Sequence, residues 1–291
     1  LRLVQSFAAH TGACWAMKLS HDGKYIATAG QDTYISVWLV SQFIDEPTGG
    51  VRVVDDSTPI QLYRDHVGDV IDLSWSKSNF LLSASLDQTV RLWHVSRPDC
   101  LVVCRHPDVV SGVCFHPTND RFFLTGSLDK KLRMWDLESG TPMVSAWAQA
   151  PDMISSVCFY DNGAMAVAGL INGLVFLYDA NNKMKYYTQI LCRNRSGKHK
   201  HGCKVSSVLF LSNASPQLGG GAIASARSEV YQLLVSTNDS RIRLFRLNDF
   251  SLRSKFKGHS TETNLPIRPA MSECGEYVLS GSDQGEVFIW Q

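Results

Sequence analysis

The sequence has no excess charge of either sign, no long apolar run and no paired-cysteine motif, and each absence excludes something. Lys plus Arg is 28 against 27 for Asp plus Glu, so no global field draws the chain to nucleic acid or to an anionic membrane, and no nucleic-acid partner is expected. No apolar stretch approaches the ~18 residues of a membrane span. Leu1 opens directly in a strand-like segment with no signal-peptide pattern, which predicts a cytoplasmic protein and a piece of a longer chain. The eight cysteines lie mostly inside apolar runs such as VSGVCF and ISSVCF, where they read as small buried hydrophobes in a reducing compartment. No C-x-x-C occurs, and Cys100 and Cys104 are spaced one residue wider with no second pair nearby, so no metal site is expected. The G-x-S-x-G, H-E-x-x-H and P-loop signatures are missing, and Gly219–Gly221 is followed by neither Lys-Ser/Thr nor a helical pattern. The expectation is a chain with no catalytic residues and no cofactor.

What is present is a repeat. The 291 residues are 44% hydrophobic, enough for a substantial core, and one block recurs along almost the whole length: TAGQDTYISVW, SASLDQTVRLW, TGSLDKKLRMW, AGLINGLVFLY, STNDSRIRLF and SGSDQGEVFIW. The closing aromatics are Trp38, Trp93, Trp135, Tyr178, Phe245 and Trp290, spaced by 55, 42, 43, 67 and 45 residues, a base period of about 42. Each copy alternates apolar and polar residues around an Asp, Asn, Gly or Ser turn, which reads as two strands of a four-stranded unit. About nine residues before an inner apolar anchor stands His10, His66 or His106.

These residues resemble the WD-repeat family, with Trp135-Asp136 spelling the signature dipeptide. The resemblance implies an all-β propeller over 1–291, with blades near 10–63, 66–104, 106–147, 150–191, 201–256 and 259–291. It also implies a buried tetrad in each blade. The mapping gives His10, Thr28, Asp32 and Trp38; His66, Ser83, Asp87 and Trp93; His106, Thr125, Asp129 and Trp135. The sixth copy offers His259, Ser280, Asp283 and Trp290 with one extra turn residue. The fourth keeps Asn172 and Tyr178, and the fifth His201, Asp239 and Phe245 with Val235 in place of a hydroxyl. Three near-identical His, hydroxyl and Asp sets are too many for one active site, and a buried carboxylate needs such partners, so they read as structural. Six repeats are countable where the family's domain usually has seven. Either LRLVQSF completes the blade ending at Trp290, or a seventh repeat is missing, which is the preferred reading.

Two stretches break the period, 41–58 and 212–230, and their Gly, Ser, Asp and Pro content marks surface loops. The histidine loop and the Asp turn share one end of a blade, the top. Spacing from them selects Trp15, Gln31, Asp69, Ile71, Leu86, Leu128, Met153, Ile171, Lys204 and Asn238 as a ring rich in large apolar groups, an expected docking surface for a peptide-like segment of another protein. Trp15 is read as its free anchor, because Met17, Leu19, Ile26 and Val37 are assigned the packing inside the blade. CRNRSGKHKHGCK concentrates Arg193, Arg195, Lys198, Lys200 and Lys204 without an acidic residue, an alternative site for acidic peptides, phosphorylated motifs or phosphoinositides. Finally, LSWSKSNFLLSASLDQTVRLWHVSRPDCL and STNDSRIRLFRLNDFSLRSKFKG look like the Rab-GTPase-binding WD-repeat proteins of the rabphilin-like group. That resemblance implies a non-catalytic scaffold in vesicle or endosomal traffic, linked to a Rab GTPase and peripheral to those membranes.

Overall fold

In the computed structural model the residues described are 5–43, 51–54, 58–138, 140–193, 202–212, 231–261, 265, 267–272 and 275–291. They form 24 strands in six antiparallel sheets. The first blade holds β1 (Cys14–Leu19), β2 (Tyr25–Gly30), β3 (Ile35–Phe43), β4 (Val51–Val54) and β5 (Gln61–Tyr63); the second β6 (Val70–Trp75), β7 (Phe80–Ser85), β8 (Thr89–His94) and β9 (Val102–Arg105). The third holds β10 (Val110–Phe115), β11 (Phe122–Ser127), β12 (Lys131–Asp136) and β13 (Met143–Gln149); the fourth β14 (Ile154–Tyr160), β15 (Met165–Leu170), β16 (Leu174–Asp179) and β17 (Lys185–Leu191). The fifth holds β18 (Val205–Ser212), β19 (Tyr231–Thr237), β20 (Arg241–Arg246) and β21 (Leu252–Phe256); the sixth β22 (Ala270–Met271), β23 (Val278–Gly281) and β24 (Val287–Trp290). Blades two to five run in simple sequence order from inner to outer strand, the meander that short hairpin turns enforce.

Blades two to five are each packed between neighbours on both faces, so the second strand there has no solvent side. This is why β7 (FLLSAS), β11 (FFLTGS) and β15 (MAVAGL) are continuous apolar or small runs, buried at five of six positions, instead of alternating. Small residues recur where the next blade comes closest: a methyl group on Gly126 would lie 2.5 Å from Ile154, and one on Gly169 2.5 Å from Val205. The turn after the second strand repeats as well. The residue following the turn Asp or Asn has positive φ, at Thr33 (68°), Gln88 (66°), Lys130 (67°) and Gly173 (85°). Its strain is offset by an Asx bond: Asp87 Oδ1 accepts Thr89 N at 2.9 Å, Asp129 Oδ1 accepts Lys131 N at 3.0 Å and Asn172 Oδ1 accepts Leu174 N at 3.1 Å.

The structure departs from the sequence reading at four places. The 41–58 insertion is not all loop: β3 extends to Phe43 and pairs with β4, Val40 opposite Val54, so the first blade carries an extra hairpin. In the 212–230 insertion, Ser212 ends β18 and residues 213–230 lie outside those described. Among the described residues the sixth blade has three strands, and Gln5–Phe7 do not join it. They lie instead against the first blade, where Gln5 exchanges two 2.8 Å bonds with the backbone of Val54 and Phe7 packs edge-on to Trp38 at 5.1 Å. Met17 and Leu19, assigned above to the blade interior, are exposed.

Candidate functional site

The networks beneath the top face hold the turns that stand above them. In blades one and two the tetrad forms as expected. Trp38 Nε1 donates to Thr28 Oγ1 (3.0 Å), His10 Nε2 lies 2.9 Å from that hydroxyl, and His10 Nδ1 is 2.9 Å from Asp32. In blade two the matching distances are 2.8, 2.7 and 2.7 Å through Trp93, Ser83, His66 and Asp87. Indole can only donate and carboxylate only accept, so the proton order follows: the hydroxyl donates to Nε2 and Nδ1–H donates to the carboxylate. Burial alone would raise the Asp87 carboxyl, but hydrogen bonds from His66 and Thr89 outweigh it and hold it well below the usual range. With Ser83, Thr28 and both histidine rings enclosed, none of these hydroxyls can reach a substrate. The sets are structural.

The third and sixth tetrads differ from the mapping. Trp135 and His106 do share Thr125 Oγ1, at 2.9 and 2.8 Å, but Asp129 turns away to Arg133, bonded at 2.5 and 3.1 Å, and His106 Nδ1 meets the Cys104 carbonyl at 3.3 Å. Blade five uses the same substitution: Arg243 grips Asp239 at 2.5 and 3.2 Å and also donates to Thr237. The Asp-x-x-x-Arg spacing of DKKLR and DSRIR also stands in DQTVR of blade two, where Asp87 keeps His66, so spacing alone does not separate the two arrangements. In the sixth copy Trp290 Nε1 donates to the Lys257 carbonyl at 3.0 Å and Ser280 to Gly281. His259 is buried with both ring nitrogens unpartnered among the described residues, so that tetrad does not assemble.

On the top face, two sets of positions selected by spacing meet through the backbone. The residue before each turn donates its backbone N–H to the carbonyl three residues after the histidine position: Gln31 to Ala13 (2.8 Å), Leu86 to Asp69 (2.9 Å), Leu128 to Val109 (2.9 Å), Ile171 to Met153 (3.1 Å) and Asn238 to Lys204 (3.0 Å). The sixth copy's extra turn residue shifts its bond to Asp283 and Ser260. Leu86 and Met153 are exposed, and Leu128 and Ile171 are half-buried. Val67, missed by the spacing argument, is 86% exposed and donates its backbone N–H to Asp87 at 3.2 Å; it lies in the histidine loop, two residues before Asp69, the nearest position that spacing selects.

Trp15 is not the free anchor expected of it. Every inner strand of blades one to five has a bulge at its start, after Cys14, Val70, Val110, Ile154 and Val205, which re-aims the next side chain. Three of those bulged residues tie forward to the following blade. Ser111 Oγ donates to the Ile154 carbonyl (2.5 Å), Ser155 Oγ to that of Val205 (2.6 Å), and Trp15 Nε1 to Asp69 Oδ2 (2.9 Å). Trp15 is therefore a half-buried strap between blades one and two. Ile71, the bulged residue of the second blade, offers its carbonyl to Arg268 Nη2 at 3.1 Å. Arg268 also donates to Asp72, whose other oxygen accepts Val113 N at 3.0 Å. Lys18 shares this field; burial lowers its amine while Asp72 pulls it back up.

Of the basic segment, Arg193 is exposed, Lys204 is half-buried with its amine lowered by burial, and Arg195, Lys198 and Lys200 lie outside the described residues. Among the described residues no cluster of His, Cys, Asp and Glu could hold a metal ion, and no helix is long and apolar enough to cross a membrane.

Six meander blades, two of them stitched by complete Trp, hydroxyl, His and Asp chains, under a rim of paired turns define a WD-repeat β-propeller, and the chain belongs to the WD-repeat proteins. The WD domain, G-beta repeat family matches residues 1–38, 57–94 and 98–136. WD repeat-containing protein 44 of Xenopus laevis is 34% identical over 335 aligned residues, which take in all of this chain and 34% of that protein. An uncharacterized WD repeat-containing protein of Schizosaccharomyces pombe is 32% identical over 95% of this chain and 47% of its own length. The 2-deoxy-glucose resistant protein 2 of Saccharomyces cerevisiae is 29% identical over 81% of this chain and 28% of its own. The chain thus spans less than half the length of each of these relatives.

Proposed function

We propose that this chain is a non-catalytic scaffold whose top face docks a peptide-like segment of a partner protein. The observation that carries this reading is the rim of blades two to four, where Val67, Leu86 and Met153 stand exposed on turns that the paired backbone bonds hold rigid. Large apolar groups fixed in solvent on a preorganised frame favour association over folding. The finer reading, a role in vesicle or endosomal traffic linked to a Rab GTPase, is supported by the rabphilin-like stretches named above. Likeness over the full chain to WD repeat-containing protein 44 is compatible with it.

The experiment compares wild type with Leu86→Asp and Val67→Asp. Proximity labelling first recovers partners, and affinity and melting temperature are then measured for each variant. Loss of at least about tenfold in affinity, roughly 1.4 kcal/mol, with an unchanged melt supports docking at this face. Binding as tight as wild type places the site elsewhere. Pull-down with Rab GTPases loaded with GTP or GDP tests the finer reading, which fails if neither form is retained.

A further inference from the structure

The repeat makes the blades alike in backbone, so a surface charge confined to two of them is not a requirement of the fold. The outermost strands of blades three, four and five, β13, β17 and β21, form successive segments of the outer wall, each hydrogen-bonded to a neighbouring strand on one side only among the described residues. On blade three that wall is acidic: residues 136–149 hold Asp136 and Glu138 and no Lys or Arg. On blades four and five the sign reverses. Residues 179–192 hold Lys183 and Lys185 against Asp179. Residues 246–257 hold Arg246, Arg253, Lys255 and Lys257 against Asp249. Both carboxylates are engaged by their own turns, Asp179 accepting Asn182 N at 3.1 Å and Asp249 accepting Ser251 N at 3.0 Å and its hydroxyl at 2.7 Å. The excess of cations is local, because the whole chain has a net charge of +1.

Large apolar groups stand in solvent on the same two strands. Tyr186 is 50%, Tyr187 58%, Leu191 42% and Leu252 48% exposed. Tyr187 of blade four packs edge-on against Phe250 of blade five at 6.2 Å, so the two blades share one surface. Exposed rings and leucines interleaved with ammonium and guanidinium groups suit a partner that is both apolar and anionic. An acidic peptide added as a further strand fits poorly. The register of β17 on β16 jumps between Leu177 and Tyr178 and leaves Tyr187 as an extra residue; that of β21 on β20 jumps between Leu244 and Phe245 and leaves Arg253. A bulge within each outer strand twists the edge and interrupts the row of amides and carbonyls that an added strand would need. A lipid surface makes no demand on that edge, and the two residues at the bulges are one ring and one cation.

We propose that the outer wall of blades four and five, β17 and β21 with their flanking turns, is a contact surface for an anionic phospholipid bilayer. Tyr186, Tyr187 and Leu252 enter the headgroup region, while Lys185, Arg253 and Lys257 meet its negative charges. This goes beyond docking at the top face and uses none of its residues. Val67 and Leu86 belong to blade two, two blades away around the ring, and stay open to a protein partner while the wall rests on lipid. The surface is also distinct from the basic segment that precedes His201.

The test is co-sedimentation of the protein with vesicles of phosphatidylcholine alone or with about 30% phosphatidylserine, at low and at physiological salt. Wild type is expected to sediment with the anionic vesicles only, and less at the higher salt. Two double variants with unchanged melts, Lys185→Glu with Arg253→Glu and Tyr187→Ser with Leu252→Ser, should each bind at least about tenfold more weakly. Leu86→Asp should bind vesicles as wild type does, so failure here leaves the top-face reading standing. Amide exchange should slow in β17 and β21 when anionic vesicles are added. Three outcomes overturn the proposal. One is no sedimentation at low salt. Another is that both wall variants bind as wild type while Arg195→Glu, Lys198→Glu and Lys200→Glu together abolish binding, which would place the contact on the basic segment. The third is retention on immobilised polyglutamate without vesicle binding, which would make an acidic protein the occupant.

Discussion

The tryptophan at the end of each repeat is held at two levels, by its ring and by its indole N–H. Trp93 is fully buried, stacks on Tyr63 at 4.5 Å and donates to Ser83 at 2.8 Å. Trp93→Ala removes the ring and leaves Ser83 with an empty lone pair in a dry site, so a loss of roughly 3 to 5 kcal/mol is expected. Thermal melts measure it, and a melting temperature within error of wild type would mean that the stack contributes nothing. His106 sets a pH dependence of definite sign. Burial, with Arg133 nearby, lowers its imidazole from 6.5 to about 4. The unfolded chain therefore takes up a proton below pH 6.5 that the folded chain refuses until about pH 4. The contribution of His106 is full above pH 6.5 and fades as pH falls toward 4, by up to roughly 3 kcal/mol. Denaturant titrations at pH 7 and pH 5 should show this slope, flattened in His106→Gln; an equal slope in the variant would place the titration elsewhere. Burial lowers His259 and His116 too, which adds to the slope in the same direction.

Among the elements, the inner strands decide how blades are joined. Cross-blade bonds run from one inner strand to the next: Asp72 to Val113 N, Ser74 to Phe115 N at 2.9 Å and Ser156 to Val208 N at 3.0 Å. The bulged residues add a second row near the top. Trp15 belongs to that row, so Trp15→Ala should destabilise the protein by roughly 2 to 3 kcal/mol through a lost half-buried ring and an Asp69 oxygen left without its donor. If Trp15→Ala instead melts with wild type while losing a partner, the strap is dispensable and the anchor reading returns. The proposed docking residues behave differently because they project from turns whose backbone bonds remain when the side chain changes.

For the whole molecule, each blade is stabilised by its two neighbours, so stability should follow how many faces are covered. Blades two to five have both faces packed, whereas blade six and blade one each have one wall bare. Amide exchange followed by mass spectrometry should be slowest in β7, β11, β15 and β19 and fastest in β22–β24 and β1. Uniform protection around the ring would contradict this arrangement. The ion pair from Arg268 to Asp72 ties the last blade back to the second, and it resists opening without covering either wall.

The sequence by itself determined the repeat, the strand order and the networks of the first two blades, because these rest on short-range chemistry. A turn carboxylate caps an amide two residues on, and a Trp reaches a hydroxyl one strand away, so His10, Thr28, Asp32 and Trp38 were legible from spacing. What lay across a junction was not legible. Whether Trp15 points to solvent or to Asp69 and whether Met17 and Leu19 are core or bare depend on what the neighbouring blade presents. Alternation says which side of a strand is apolar, but not whether anything stands opposite. The tertiary structure decided that, because burial is a property of two surfaces and the sequence of one blade specifies only its own.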